Sequence, residues 1–112
     1  QVILGGFSQG SMLATALALT LSEAPAGLVI LSGNLIDEAR LRVWVPQRAG
    51  LCFFQSHGTQ DAVLGITGAR RLHELLTSAG LQGEWLEFRG GHEIPMAVIE
   101  RVGVFLDACG AA

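Results

Sequence analysis

The chain has 112 residues, of which half are hydrophobic and 15% are charged, and its formal net charge is −3 at pH 7. This length supplies one domain, and this composition excludes a disordered chain. The acidic balance argues against a nucleic acid or an anionic membrane surface as partner. The longest apolar stretch, residues 12–21, is shorter than the roughly 20 residues that cross a bilayer, so we expect no membrane span.

Two cysteines, Cys52 and Cys109, lie far apart in the chain. A single pair of cysteines so far apart does not indicate a disulfide framework, so we expect free thiols. Free thiols favour a reducing compartment, so we expect a cytoplasmic protein. The first residues carry no leader and run at once into a strand-like segment, so we expect the chain to begin in the middle of a fold.

Short apolar runs alternate with longer segments of helical period, a pattern typical of βα units and a buried, mostly parallel sheet. We predict an α/β fold with about four strands, at residues 2–7, 28–31, 51–55 and 84–89. Helices are predicted at residues 9–21, at 67–79, and from Pro95 to near Cys109. Residues 35–50 mix charged and apolar side chains, and we predict a loop there with one helical turn at most.

The first predicted strand ends in a sequence, GFSQG at residues 6–10, that fits the pattern G-x-S-x-G. This pattern holds a serine on a strained turn between strand and helix, and we expect a side chain at either glycine to collide there. The turn aims the Ser8 hydroxyl at the carboxyl edge of the sheet and the Gln9 backbone N–H at a developing oxyanion. We predict Ser8 as nucleophile, with a glycine-rich turn in which Ser8 only caps the helix as the alternative.

Asp61 and His92 follow Ser8 in the order that α/β-hydrolases use, and each comes just after a predicted strand. Catalytic groups gather at the carboxyl ends of the strands in open α/β sheets. We therefore predict that His92 is the general base and that Asp61 orients its imidazole. His57 is an alternative base, although its place in the Asp61 loop favours a role in shaping that loop. Asp37, after the second strand, is the alternative acid.

Two further titratable residues are assigned to the structure rather than the site. His73 lies beside the apolar stripe of a predicted helix, and we expect it at the surface. Glu93 adjoins His92, and we expect it to point away and to cap the last helix. The three histidines and two cysteines have no metal-ligand spacing, so we predict no metal site.

Three segments resemble the phospholipase/carboxylesterase family of the α/β-hydrolases, which includes acyl-protein thioesterases and small bacterial carboxylesterases. They are GGFSQG at residues 5–10, HGTQDAV at 57–63 and GHEIP at 91–95. The resemblance covers residues 2–106 and departs from the family pattern at Ser11 and Gly65. It implies a catalytic triad of Ser8, Asp61 and His92, the Gln9 N–H as one oxyanion donor, and hydrolysis of a small ester or thioester without a cofactor.

The resemblance also implies that residues 1–112 are a partial domain, the C-terminal part of an α/β-hydrolase fold. Family members have further strands and a loop before the serine turn, and that loop supplies the second oxyanion N–H. Losing one such donor costs about 2.7–4 kcal/mol, so we expect this chain alone to be nearly inactive. The strand at residues 2–7 would have an unpaired edge, and we expect it to pair with a second copy or with a missing N-terminal segment.

Apolar residues on the loops beside the predicted triad either line an acyl pocket or simply pack those loops. They are Leu35, Ile36, Val63, Leu64 and Ile94. The main alternative to an esterase is a truncated, non-catalytic hydrolase module used for binding or assembly. A nucleotide-binding domain is disfavoured because the pattern G-x-G-x-x-G is missing and no acidic residue ends the second strand.

Overall fold

A computed structural model describes residues 2–110, in which strands and helices alternate along the chain. The strands are β1 Ile3–Phe7, β2 Gly27–Leu31, β3 Cys52–Gly58 and β4 Gln82–Phe88. The α-helices are α1 Gln9–Thr20, α2 Glu38–Trp44, α3 Ile66–Ser78 and α4 Met96–Gly110, and a 3-10 helix, Val45–Arg48, follows α2. The strands form one parallel sheet in the order β1-β2-β3-β4. The predicted α/β fold class is confirmed.

Helices cover both faces of the sheet. Neighbouring residues of a strand point to opposite faces, so the central strands contribute apolar side chains to a core on each side. Leu28 and Ile30 of β2 pack into a core with side chains of α1, α2 and α3. Val29, between them, packs on the other face with Phe54 and with α4 residues such as Phe105. The three layers hold the carboxyl ends of all four strands at one edge, where the connecting loops meet.

The prediction of a loop at residues 35–50 is wrong, because α2 and the 3-10 helix occupy most of this segment. The Asp37 side chain accepts a hydrogen bond from the Arg40 N–H and so begins α2. Leu41 and Val45, four residues apart, are both buried against the core. Two buried positions among many charges are too few to give a helical period in the sequence.

Strand β3 extends three residues further than predicted, to Gly58. The polar residues Gln55, Ser56 and His57 are nevertheless fully or almost fully buried. Their side chains are polar, so the apolar run that predicted the strand ended before the strand itself does. His57 consequently lies within β3 and not in a loop after it.

Strand β1 pairs with β2 alone among the described residues, so one of its edges carries no partner there. Helix α1 packs against β1, and three large apolar side chains of this helix and of the residue after it are exposed, namely Leu13, Leu17 and Leu21. Both cysteines are free thiols. No helix within the described range is long and apolar enough to cross a membrane.

Candidate active site

Ser8 stands alone between β1 and α1, with a backbone φ of 57° and ψ of −123°. A positive φ is unfavourable for a residue with a side chain, and such strain concentrates at functional sites. The turn is held by the Ser8 N–H, which donates to Leu31 O at 2.9 Å, and by the Ser11 hydroxyl, which donates to Ser8 O at 2.6 Å. The Ser8 side chain makes no capping bond to α1, which contradicts the alternative of a purely capping serine.

The two glycines of the serine motif differ in their surroundings. A Cβ on Gly6 would lie 2.3 Å from the backbone carbon of Gly10, whereas a Cβ on Gly10 would meet nothing within 4 Å among the described residues. The expectation that a side chain at either glycine collides is therefore correct for Gly6 and wrong for Gly10. Gly10 lies in α1, where its backbone is helical and its α-carbon faces open space.

Alanine at these two glycines is therefore expected to change stability in opposite directions. Gly6→Ala should lower the free energy of unfolding by about 1–3 kcal/mol, because the methyl group meets backbone that cannot yield without moving the turn. Gly10→Ala should raise it by up to about 1 kcal/mol, since alanine favours a helix. Urea denaturation of the two variants measures the difference. Equal destabilisation by both would contradict this account of the turn.

His92 bridges Ser8 and Asp61. Its Nδ1 lies 2.8 Å from Asp61 Oδ2, and its Nε2 lies 2.9 Å from Ser8 Oγ. The carboxylate can only accept, so Nδ1 carries the hydrogen and Nε2 is left to accept from the Ser8 hydroxyl. The His92 ring also lies 4.7 Å from the Phe7 ring, centroid to centroid, and its side chain is 18% exposed. This arrangement can remove a proton from Ser8.

The loops that carry Asp61 and His92 are tied directly to each other. Thr59 N–H donates to Phe88 O, and Gln60 N–H donates to Gly90 O, both at 2.8 Å. A Cβ on Gly58 would lie 2.4 Å from the carbonyl oxygens of Gly90 and Gly91, so only glycine permits this close approach. The pairing of β3 with β4 thus continues beyond the strands and places the acid beside the base.

The Asp61 carboxylate is buried and well supplied with donors. Its Oδ1 accepts from the backbone N–H groups of Val63 and Leu64 at 2.9 and 2.8 Å, while Oδ2 accepts from His92. Burial alone would raise the pKa of Asp61, but the bonds from Leu64, His92 and Val63 together outweigh it and hold that pKa below its usual value. Asp61 is therefore a carboxylate at neutral pH and stabilises a charged His92.

The competing candidates lie outside this chain of hydrogen bonds. His57 is fully buried, and its Nε2 lies 2.6 Å from Leu64 O rather than near Ser8, so it shapes the Asp61 loop. Asp37 caps α2 and pairs with Arg40. No cluster of three His, Cys, Asp or Glu side chains within residues 2–110 could hold a metal ion.

Two expectations, that His73 lies at the surface and that Glu93 caps the last helix, are wrong. His73 is half-buried, because its ring packs between Phe53 and Trp85 and its Nδ1 faces Gln55 Oε1. Burial lowers the pKa of His73, which favours its neutral form. Glu93 does not cap α4, because its carboxylate accepts from the Gly91 N–H at 3.0 Å instead. It thereby stabilises the turn that carries His92.

An open cavity of about 480 Å³ adjoins Ser8. Three of the predicted pocket residues, Ile36, Val63 and Leu64, line it. The other lining residues come from the end of β1, the serine turn and α1: Phe7, Ser8, Gln9, Gly10 and Met12. Leu35 packs against the core instead, and Ile94 is exposed and does not line this cavity. Met12 was not among the predicted residues, although its place four residues after Ser8 puts it on the same face of α1.

Comparison with known proteins identifies relatives over nearly the whole chain. Residues 1–110 match the model of a family described as phospholipase/carboxylesterase. Acyl-protein thioesterase 1 of Eremothecium gossypii is 30% identical over 111 residues, which cover 96% of this chain and 47% of that protein. Acyl-protein thioesterase 1 of Emericella nidulans is 28% identical over 85 residues, which cover 73% of this chain and 36% of that protein.

Solved structures have the same fold. The esterase PE8 superposes with a TM-score of 0.86 at 26% identity, over 96% of this chain and 49% of that one. The Bacillus cereus carboxylesterase superposes with a TM-score of 0.78 at 22% identity, over 97% of this chain and 50% of that one, and supports the fold alone. The chain therefore spans about half the length of these relatives.

Proposed function

This chain belongs to the phospholipase/carboxylesterase family, and from that membership we propose a serine hydrolase that cleaves carboxylic esters or thioesters through an acyl-enzyme intermediate. The observation that carries the proposal is the pair of hydrogen bonds that join Ser8, His92 and Asp61 at 2.9 and 2.8 Å. The same three residues carry a serine-hydrolase mechanism wherever this geometry occurs.

In the first half of the reaction, Ser8 Oγ attacks the carbonyl carbon of the substrate while its proton moves to His92 Nε2. Asp61 stabilises the resulting imidazolium through Nδ1. The tetrahedral intermediate collapses as His92 gives the proton to the leaving alcohol or thiol, which leaves an acyl group on Ser8. In the second half, His92 takes a proton from water, the hydroxide attacks the acyl carbonyl, and the proton returns to Ser8 as the acid leaves.

The negative charge that develops on the carbonyl oxygen would be met by the Gln9 N–H. Gln9 is the first residue of α1, so its N–H has no acceptor within the helix and the positive end of the helix dipole lies there. A second donor is expected from chain outside these residues. Without that donor the rate is expected to fall by roughly 100- to 1000-fold.

The cavity beside Ser8 favours an acyl substrate. Its wall includes the apolar side chains of Met12, Ile36, Val63 and Leu64, and Ile36 and Val63 are largely exposed to solvent. A small ester or thioester would place its carbonyl at Ser8 and its acyl chain against this wall.

The protein that includes the chain supplying the second oxyanion donor, called the full chain from here on, is expected to hydrolyse p-nitrophenyl butyrate and a short acyl thioester. A protein that is folded and cleaves neither substrate would favour the non-catalytic module, which no present observation supports. A cytoplasmic location stays a prediction.

The free edge of β1 supports a further part of the proposal, namely that residues 1–112 form a partial domain and that β1 pairs with more chain. An unpaired strand edge invites pairing, large apolar side chains of the neighbouring helix α1 are exposed, and the relatives are about twice as long as this chain. The partner would be a preceding segment or a second copy.

Sedimentation velocity tests the pairing of β1. The 112-residue chain by itself should sediment as a dimer or a larger species, while a chain that includes a preceding segment should be monomeric with β1 amides protected from exchange. If the 112-residue chain is a folded monomer whose β1 amides exchange rapidly, the pairing proposal fails.

A further inference from the structure

His57 is a fully buried imidazole that takes no part in the reaction proposed above. It lies near the end of β3, in register with Glu87 of β4, and comes four residues before Asp61. Burial of a polar ring is unfavourable unless its hydrogen bonds are made. The hydrogen-bond partners of the His57 ring therefore indicate its role.

Only acceptors face the Nε2 atom of His57. Leu64 O lies 2.6 Å away and Asp61 Oδ2 lies 3.4 Å away. Nε2 must therefore carry the hydrogen and donate it to Leu64 O. The other nitrogen, Nδ1, has no hydrogen-bond partner among the described residues. The hydrogen bond from Nε2–H to Leu64 O thus holds the ring in place.

Leu64 is fixed at both of its backbone polar atoms. Its N–H donates to Asp61 Oδ1 at 2.8 Å, and its C=O accepts from His57. The turn at residues 61–64 is therefore closed on one side by the carboxylate and on the other by the imidazole. If His57 were absent, Leu64 O would lose its hydrogen-bond donor and the turn would no longer be held on this side.

We propose that His57 is a positioning residue, which holds the turn at residues 61–64 so that Asp61 Oδ2 faces His92 Nδ1. This inference rests on the proposed function and adds a fourth residue to the line from Ser8 through His92 to Asp61. His57 acts through Asp61 and touches no reacting atom. Loss of its Nε2–H should therefore lower kcat more than it changes KM.

Two amide variants separate the hydrogen bond from the presence of a polar side chain. The glutamine amide nitrogen is as many bonds from the main chain as His57 Nε2, whereas the asparagine nitrogen corresponds to Nδ1 and cannot reach Leu64 O. In the full chain, His57→Asn should lower kcat by roughly 10- to 100-fold, since a misplacement of about 1 Å can cost about 100-fold. His57→Gln should restore kcat to within about threefold of the wild type, with KM unchanged in both.

A double-mutant cycle tests whether the effect passes through Asp61. In an Asp61→Asn background, His57→Asn should lower the residual kcat by less than about twofold, because the carboxylate that it positions is already gone. His73→Asn is the matched control, since it removes a half-buried imidazole that bonds Gln55 and not the Asp61 turn. It should leave kcat within about twofold of the wild type.

Equal losses in His57→Asn and His57→Gln, an undiminished loss in the Asp61→Asn background, or a similar loss in His73→Asn would each overturn the proposal. Circular dichroism and thermal melting establish that each variant is folded, and His57→Gln keeps the test valid if His57→Asn does not fold. An inactive wild-type full chain would refute the proposed function itself, whereas an active wild type with an unaffected His57→Asn would refute only the role of His57.

Discussion

Ser8→Ala is expected to abolish hydrolysis by the full chain, with a fall in kcat of about 10⁶-fold, the magnitude found when the nucleophile of a serine hydrolase is removed. Alanine removes the oxygen that attacks the carbonyl and leaves His92 without its proton donor. The residual rate would come from substrate binding and the oxyanion donor alone. Steady-state kinetics with a p-nitrophenyl ester measures the loss, and intact-mass analysis after mixing should show no acyl adduct.

Ser22→Ala is the matched control for this variant, because Ser22 is exposed beyond the end of α1 and far along the chain from the serine turn. Its kcat should equal that of the wild type. Thermal melting should show that both variants remain folded. If Ser8→Ala hydrolyses the ester at a rate near that of the wild type, Ser8 is not the nucleophile.

Asp61→Asn is expected to lower kcat by about 10⁴-fold with little change in KM. Asparagine is close in shape, but its amide can donate a hydrogen to His92 Nδ1 where the carboxylate only accepts. The imidazole would then carry its hydrogen on Nε2 and could no longer accept the Ser8 proton. The loss of the negative charge also leaves the imidazolium of the transition state unsupported in a site where Asp61 is fully buried.

Asp37→Asn distinguishes the two acids that the sequence left open. Asparagine caps helices as well as aspartate does, so this variant should keep α2 and the stability of the wild type. Its kcat should stay within about twofold of the wild-type value, because Asp37 contacts Arg40 and not His92. A large loss of activity in Asp37→Asn together with a small one in Asp61→Asn would assign the acid to Asp37 instead.

The sequence predicts the α/β fold because β1, β2 and the first residues of β3 are apolar runs and α3 has a clear apolar stripe. It also singles out Ser8, Asp61 and His92, since a motif, a chain order and a position after each strand point to them. Their mutual distances depend on features that the hydrophobic periodicity of the sequence does not show. One is the absent Cβ of Gly58, which lets the backbone at Gly90 approach to within hydrogen-bonding distance of the Asp61 loop.

The failures of prediction have physical causes as well. The segment from Glu38 to Arg48 buries little beyond Leu41 and Val45, so its many charged residues leave no hydrophobic period that would predict a helix. Gln55 and His57 are polar yet buried, because Ala69 O and Leu64 O accept their hydrogen bonds. A prediction from hydropathy therefore ends β3 too early. The predicted pocket comprises loop residues alone and so lacks Met12, which lies one helical turn after Ser8 on α1 and lines the Ser8 cavity.

Reaction with a fluorophosphonate probe tests the central claim most directly, because the probe labels a serine only when a base activates it. The full chain is expected to gain one probe adduct on Ser8, located by peptide mass spectrometry, and Ser8→Ala is expected to gain none. His92→Ala should react far more slowly than the wild type, since the hydroxyl would then have no proton acceptor. A folded wild-type protein that takes no label, or a label that persists in Ser8→Ala, would contradict the assignment of Ser8 as an activated nucleophile.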